Sequence, residues 1–175
     1  MRYLEVLARA LLATVFVVAV LGKINRRAAW QDFVQSLRQM RQVPEAAIPW
    51  TARMTVTVEA LVAALLLVPT RTAGVLGFAL AACLLGAFTV MIGLAVSSGN
   101  RAPCRCFGAS RTPLGVPHMV RNLTLVCVAA LGITGLSTGG ALEPSPALLA
   151  GITGLVLGIL TTAAEDIVAL VKPIR

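Results

Sequence analysis

Charged residues are scarce in this sequence. Asp, Glu, Lys and Arg make up 13% of the 175 residues, whereas 58% are hydrophobic. A soluble domain is about one quarter charged and about half apolar, and one core of this size cannot enclose the excess of apolar side chains. The composition therefore excludes an ordinary soluble domain. It predicts a single domain embedded in lipid, with no length left for a second, soluble one.

Acidic residues are the scarcer of the two charge types. The chain has 7 Asp and Glu against 15 Lys and Arg, which gives a formal charge of +8. In a soluble protein this excess would suggest nucleic-acid binding. Here the basic residues lie between apolar runs, where they set topology and meet anionic lipid head groups. We therefore predict the bilayer as the partner and no nucleic acid.

Five apolar runs are long enough to cross a bilayer, which takes about 20 residues. No convincing signal-peptidase site follows the first run, so we predict that it is a retained span. The predicted fold is an all-α integral membrane protein, a bundle of four core transmembrane helices plus a fifth, C-terminal span. The runs comprise residues 4–24, 50–68, 72–96, 117–136 and 146–164.

The segment 27–43 differs from the spans because it is amphipathic. Its apolar residues recur every three or four positions, which predicts a short helix. This helix either lies in the membrane interface or packs on the end of the bundle, and Pro44 and Pro49 end it. The apolar face comprises Trp30, Phe33, Val34, Leu37 and Met40.

Small residues mark predicted helix contacts. Gly154 and Gly158 form a GxxxG pattern in the fifth run, and small residues allow helices in lipid to approach closely. The pair is therefore a candidate homodimer contact.

The loop between the third and fourth runs carries Cys104 and Cys106, separated by one residue. A disulfide between them would close a small, strained ring, which makes such a bond labile. Arg101, Arg105 and Arg111, together with the helix start that follows, favour the reactive thiolate. The spacing therefore favours thiol–disulfide exchange. Two alternatives stay open, a structural loop and a soft-metal site.

A metal site in this loop would use Cys104, Cys106 and the sole histidine, His118. A tetrahedral zinc site needs four ligands, whereas copper(I) needs fewer and prefers thiolate. His118 is also a candidate base for the thiols, or an ordinary interfacial residue. Cys83 and Cys127, near the middles of their spans, are either small hydrophobic residues or a buried second dithiol that relays electrons.

Glu59 has the highest free-energy cost of insertion in the sequence, because it lies near the middle of a predicted span. A carboxylate inside a membrane needs a partner or a proton. We expect either an ion pair with Arg53 or Arg9, or a proton-handling or quinone-contacting role. A quinone is thus a candidate cofactor, although none is firmly predicted. We expect Lys23 to extend its ammonium group to the interface.

The chain resembles the MauE family of methylamine-utilisation membrane proteins, which are DoxX-like. The resemblance covers about residues 4–138. Three segments carry it: Val20-Leu21-Gly22-Lys23-Ile24, Pro103-Cys104-Arg105-Cys106-Phe107-Gly108, and Arg121-Asn122-Leu123. Around Glu59 the chain departs from the family pattern, because Val56 and Ala63 replace a proline and a glycine.

The resemblance implies a multi-pass protein of the bacterial plasma membrane that works with a thioredoxin-like partner. Cys104 and Cys106 match the family motif and take its redox role. In methylamine users the client is the disulfide-rich small subunit of methylamine dehydrogenase, and elsewhere the client can differ. The alternative function is a non-catalytic membrane scaffold or assembly factor.

Two arguments about orientation disagree. With five spans, three basic residues, Arg2, Arg9 and Arg71, lie on the N-terminal side and the other twelve on the cysteine-loop side. The positive-inside rule then places the cysteine loop in the cytoplasm. The family role implies that this loop faces outward, so both orientations stay open.

Overall fold

The computed structural model describes residues 2–99, 115–137 and 143–171, the last seven of these by their backbone alone. The described chain is helical and contains no strand. Five of its helices are long and apolar enough to cross a membrane, which confirms the five predicted runs. The helices are α1 (Arg2–Ile24), α2 (Arg27–Met40), α3 (Ile48–Leu67), α4 (Arg71–Ser97), α5 (Val116–Ser137) and α6 (Pro144–Val171), with a 3-10 turn at Glu45–Ala47 before α3.

Local sequence signals explain several helix boundaries. Arg41 adopts a left-handed conformation, with φ of 54°, and ends α2. Pro49 lies in the first turn of α3, where its missing N–H costs nothing. At the start of α4 the hydroxyl of Thr70 accepts a hydrogen bond from the N–H of Ala73 at 3.3 Å, which is a standard N-cap.

Helix α1 is the centre of the bundle. It packs against α3, α5 and α6, while α4 packs against α3 and α5. Leu12, Val15 and Phe16 in its middle are almost completely buried because neighbours cover α1 on several sides. The core is built mainly of small and aliphatic side chains around two phenylalanines, and its fully buried members include Leu12, Phe16, Val62, Phe78, Leu85 and Ala129.

The contact between α6 and α1 depends on the glycines of the GxxxG pattern. A Cβ atom on Gly154 would collide with the carbonyl oxygen of Leu7, and one on Gly158 would lie 2.8 Å from Thr14 Cβ and 2.9 Å from the carbonyl oxygen of Leu11. The glycines let two backbones approach, but both belong to one chain. The structure therefore shows an intrachain contact at this pattern, and the homodimer contact stays a prediction.

Arg9 holds together the end of the bundle at which α1 starts. Its guanidinium group donates to a carboxylate oxygen of Glu5 at 2.9 Å, to the carbonyl oxygen of Val68 at 2.6 Å and to that of Thr70 at 2.8 Å. These last two carbonyls belong to the turn between α3 and α4, and that of Thr70 also accepts the backbone N–H of Gly74 at 3.0 Å. Arg9 thus joins α1 to that turn.

The amphipathic helix α2 packs on the bundle with its apolar face. Phe33 and Leu37 are buried and form a second, smaller core with Ile48 and Ala52 of α3. Trp30 and Val34 lie at its border and are half-buried. The structure shows that this helix packs on the bundle, and its position in the membrane interface stays a prediction.

Candidate functional site

The most unusual feature of the bundle is an ion pair between Lys23 and Glu59. The ammonium nitrogen of Lys23 lies 2.7 Å from Oε1 and 2.9 Å from Oε2 of the carboxylate. The two side chains are 1% and 0% exposed. Each charge taken alone would be very costly in lipid, so the pair forms because each group supplies the other's counter-charge.

Two sequence predictions are corrected by this pair. Lys23 does not reach the interface, because its side chain turns inward from the last turn of α1 to α3. Glu59 is paired, as expected, but neither Arg53 nor Arg9 is its partner. Arg53 is exposed and lies beside the ring of Trp50, and Arg9 is held by Glu5 and the turn between α3 and α4.

Helix α2 covers the ion pair. The ammonium nitrogen of Lys23 lies 5.2 Å from the centroid of the Phe33 ring, a distance at which a cation is attracted to an aromatic face. Trp30 contacts the same ring edge-on, with the centroids 6.1 Å apart. Lys23 also donates a long hydrogen bond, 3.4 Å, to the carbonyl oxygen of Ala19. The lysine is therefore enclosed by its own helix, by α3 and by α2.

The first turns of α5 bring three more polar side chains to this region. His118 and Asn122 are one turn apart on the buried face of α5 and are 3% and 0% exposed. Arg121, between them, is half-buried and adds a second positive charge that acts on the ammonium group of Lys23. We call Lys23, Glu59, His118, Arg121 and Asn122 the polar centre.

Asn122 has an unusual environment for a membrane helix. Among the described residues, neither its amide nitrogen nor its amide oxygen has a hydrogen-bond partner. Sequence reasoning did not single out its burial, although its place after Arg121 in the family pattern was a signal.

The polar centre lies at the end of the bundle from which the cysteine loop leaves. Consecutive spans alternate in direction, so the last turn of α1, the end of α4 at Ser97 and the start of α5 at Val116 share one end. We call this the loop end. Cys104, Cys106, Arg101, Arg105 and Arg111 lie outside the described residues, and their predicted roles stay predictions.

Cys83 and Cys127 are free thiols on the outer surfaces of α4 and α5. The relay hypothesis assumed that both are buried, and this assumption is wrong because each points away from the bundle core. The described part of the chain also contains no group of three or more His, Cys, Asp and Glu side chains that could hold a metal ion.

Comparison with protein families identifies the chain. The model of the methylamine utilisation protein MauE matches residues 1–135. The chain belongs to the MauE family. It is a multi-pass membrane protein of methylamine utilisation, as the sequence motifs predicted. Comparison with curated proteins and with solved structures gave no match.

The MauE match includes every residue of the polar centre and both loop cysteines. It stops two residues before the end of α5 and leaves α6 outside. Helix α6 packs along the side of α1 and supplies no described side chain to the polar centre. The candidate site is therefore built entirely from the part of the chain that the family shares.

Proposed function

We propose that this protein is a membrane thiol–disulfide exchange protein of the bacterial plasma membrane. Cys104 and Cys106 cycle between a dithiol and a disulfide, in exchange with a thioredoxin-like partner. The exchange supports maturation of a disulfide-containing client, which in methylamine users is the small subunit of methylamine dehydrogenase. MauE family membership and the charge-flanked cysteine pair support this proposal.

One structural observation carries the proposal furthest. The loop with the cysteine pair is joined directly to α5, whose first turns carry the buried His118 and Asn122 and also Arg121, whose charge acts on the buried Lys23. Polar groups are costly inside a membrane and are characteristic of functional sites there. The chain concentrates them at the loop end, and this placement favours a function located at that face.

The exchange proceeds through a mixed disulfide. The Cys104 thiolate attacks a sulfur of the partner's disulfide, so a Cys104–partner bond forms and one partner thiolate leaves. The Cys106 thiolate then attacks the Cys104 sulfur, which closes the intrachain disulfide and releases the second partner thiolate. The loop dithiol loses two electrons and two protons, and the partner disulfide gains them. The reverse sequence reduces the loop disulfide.

A trapping experiment tests the proposal. In Cys106→Ser the second step is blocked, so we expect a mixed disulfide through Cys104 that disappears on reduction. Cys104→Ser/Cys106→Ser should trap nothing and should lower the amount of mature client. Cys83→Ser in the Cys106→Ser background is the matched control and should trap normally, because Cys83 lies on the lipid-facing surface.

The same variants distinguish the alternative, a non-catalytic scaffold. A scaffold would keep full client maturation in Cys104→Ser/Cys106→Ser and would give no mixed disulfide. That pair of results would overturn the redox proposal.

Thiol labelling determines on which side of the membrane the loop lies. A membrane-impermeant maleimide is added to intact and to lysed cells, with and without prior reduction. The Cys83→Ala/Cys127→Ala background is used because both thiols are exposed on the bundle surface and would react in detergent. Labelling of intact cells places the loop outside, as the proposed client requires. Labelling only after lysis contradicts exchange with a client outside the cytoplasm.

A further inference from the structure

A groove lies at the loop end, where α1 ends and α2 begins. It is lined by Ile24, Arg26, Arg27, Trp30 and Gln31 and has a volume of about 340 Å³. Both arginines are exposed. Among the described residues neither takes part in an ion pair, since the recorded pairs join Arg9 to Glu5, Lys23 to Glu59 and Arg38 to Glu45.

The chemistry of this groove is that of an anion site. Two guanidinium groups can each donate paired hydrogen bonds to phosphate oxygens. Trp30 and Gln31 also line the groove, and an indole N–H and a side-chain amide are further hydrogen-bond donors. Arg26 is also the N-cap residue of α2 and provides no side-chain cap, so the positive end of the helix dipole adds to the charge of the arginines.

An apolar track continues from the groove into the membrane. Val17, Leu21 and Ile24 are 37%, 53% and 53% exposed. Their spacing of four and three residues places them in one row along α1. The row ends at Ile24, which also lines the groove. A basic groove joined to an exposed apolar row fits an amphiphile better than a free anion.

We propose that this groove binds the phosphate head group of an anionic phospholipid whose acyl chains lie along the Val17–Leu21–Ile24 row. Trp30, which lines the groove, is of the residue type that is favoured between the head groups and the hydrocarbon. The lipid joins the end of α1 to the first turns of α2. It thereby holds in place the helix whose Phe33 covers Lys23. This inference is independent of the proposed redox function.

Binding is tested on the full-length protein in detergent by native mass spectrometry. Phosphatidylglycerol and phosphatidylcholine with identical acyl chains are compared. We expect the protein to retain phosphatidylglycerol preferentially. A surface arginine contributes about 1 kcal/mol to the attraction of an anionic lipid, or about fivefold in affinity. Arg26→Gln/Arg27→Gln should therefore reduce phosphatidylglycerol binding about 30-fold and phosphatidylcholine binding much less, because the choline cation already offsets the charge of its phosphate.

The matched control is Arg38→Gln/Arg41→Gln, which removes the same charge from the other end of α2. It should keep the wild-type lipid preference. If it loses as much binding as Arg26→Gln/Arg27→Gln, the attraction is general and the groove is not the site. Equal retention of the two lipids by the wild-type protein would also overturn the proposal. This outcome does not depend on the variants, so it can be read even if they do not fold.

A further comparison separates a lipid from a free phosphate. Glycerophosphoglycerol, which is the head group without acyl chains, and inorganic phosphate are added at the concentration that saturates with phosphatidylglycerol. We expect neither to raise the melting temperature of the protein, whereas phosphatidylglycerol raises it. If inorganic phosphate stabilises the protein as much as the lipid does, the groove is a phosphate site and the acyl-chain row has no role.

Discussion

Lys23 and Glu59 are 36 residues apart in the sequence, yet the ammonium group lies within 2.9 Å of both carboxylate oxygens. The bond joins the last turn of α1 to the middle of α3, and Phe33 of α2 lies over the lysine. Three elements therefore meet at one pair of charges. In lipid neither charge is tolerable alone, so the pair couples the positions of all three.

Removing one member of the pair should be much more harmful than removing both. Lys23→Met leaves the carboxylate of Glu59 buried without a counter-charge. Glu59→Gln likewise leaves the ammonium group of Lys23 buried without a counter-charge. Breaking a buried pair in this way costs about 3–5 kcal/mol. We expect each single variant to lose about that much free energy of unfolding, measured by denaturation in mixed micelles.

The double variant Lys23→Met/Glu59→Gln should recover at least half of that loss, because no unpaired charge is left. Arg38→Gln is the control, since its 3.5 Å contact with Glu45 is exposed and such pairs contribute less than about 1 kcal/mol. Additive losses in the double variant would mean that the two side chains act independently and would contradict a coupled pair.

The sequence could predict that Glu59 needs a partner but not which residue it is. Arg9 is on the same helix as Lys23, but 14 residues earlier, which is about 21 Å along an α-helix. Arg53 is on the same helix as Glu59 but on its exposed side. To identify Lys23 as the partner of Glu59, one must know how α1 and α3 pack and how deep each residue lies in the bundle. Contacts between the two helices determine this, and the periodicity of either helix alone does not show it.

The spans were easier to predict than the site because hydrophobic length alone determines them. Helix α4, predicted at 72–96, is found at Arg71–Ser97. The family pattern draws attention to Asn122 but does not give its burial, because an amide near a helix start is equally compatible with a water-facing position. The role of the GxxxG glycines was also beyond the sequence, since an intrachain and an interchain helix contact require the same small residues.

Phe33 should hold α2 on the bundle. It is 3% exposed and contacts both the Lys23 ammonium group and the small core shared with α3. Phe33→Ala should cost about 3 kcal/mol, as is usual for removal of a buried aromatic ring. The backbone amides of α2 should exchange faster with deuterium, measured by mass spectrometry. Gln35→Ala, on the exposed face of the same helix, is the control and should exchange as the wild type does. Unchanged exchange in Phe33→Ala would contradict this role.

Gly74 makes room for Arg9. A Cβ atom at this position would collide with the guanidinium group. In Gly74→Ala the guanidinium group must shift, and we expect this to weaken its hydrogen bonds to the carbonyl oxygens of Val68 and Thr70. We expect a loss of about 2 kcal/mol in the free energy of unfolding, partly offset by the better helix propensity of alanine. Gly86→Ala is the matched control on α4, because a Cβ atom there meets nothing within 4 Å. It should be neutral or stabilising, and equal losses in the two variants would contradict the role of Arg9.

Gly154 should be essential for the packing of α6 on α1, whereas Gly151, on the same helix, should not. A Cβ atom on Gly154 would collide with the carbonyl oxygen of Leu7 and would lie 2.9 Å from Ala10 Cβ, whereas one on Gly151 would be 3.9 Å from its nearest neighbour. Because backbone atoms of α1 cannot move aside, Gly154→Ala should force the helices apart at a cost of about 2 kcal/mol.

We expect limited proteolysis between α5 and α6 to be faster in Gly154→Ala and unchanged in Gly151→Ala. If Gly154→Ala instead left proteolysis and stability unchanged but altered the oligomeric state, the glycines would serve a contact between chains, and the intrachain assignment would be wrong.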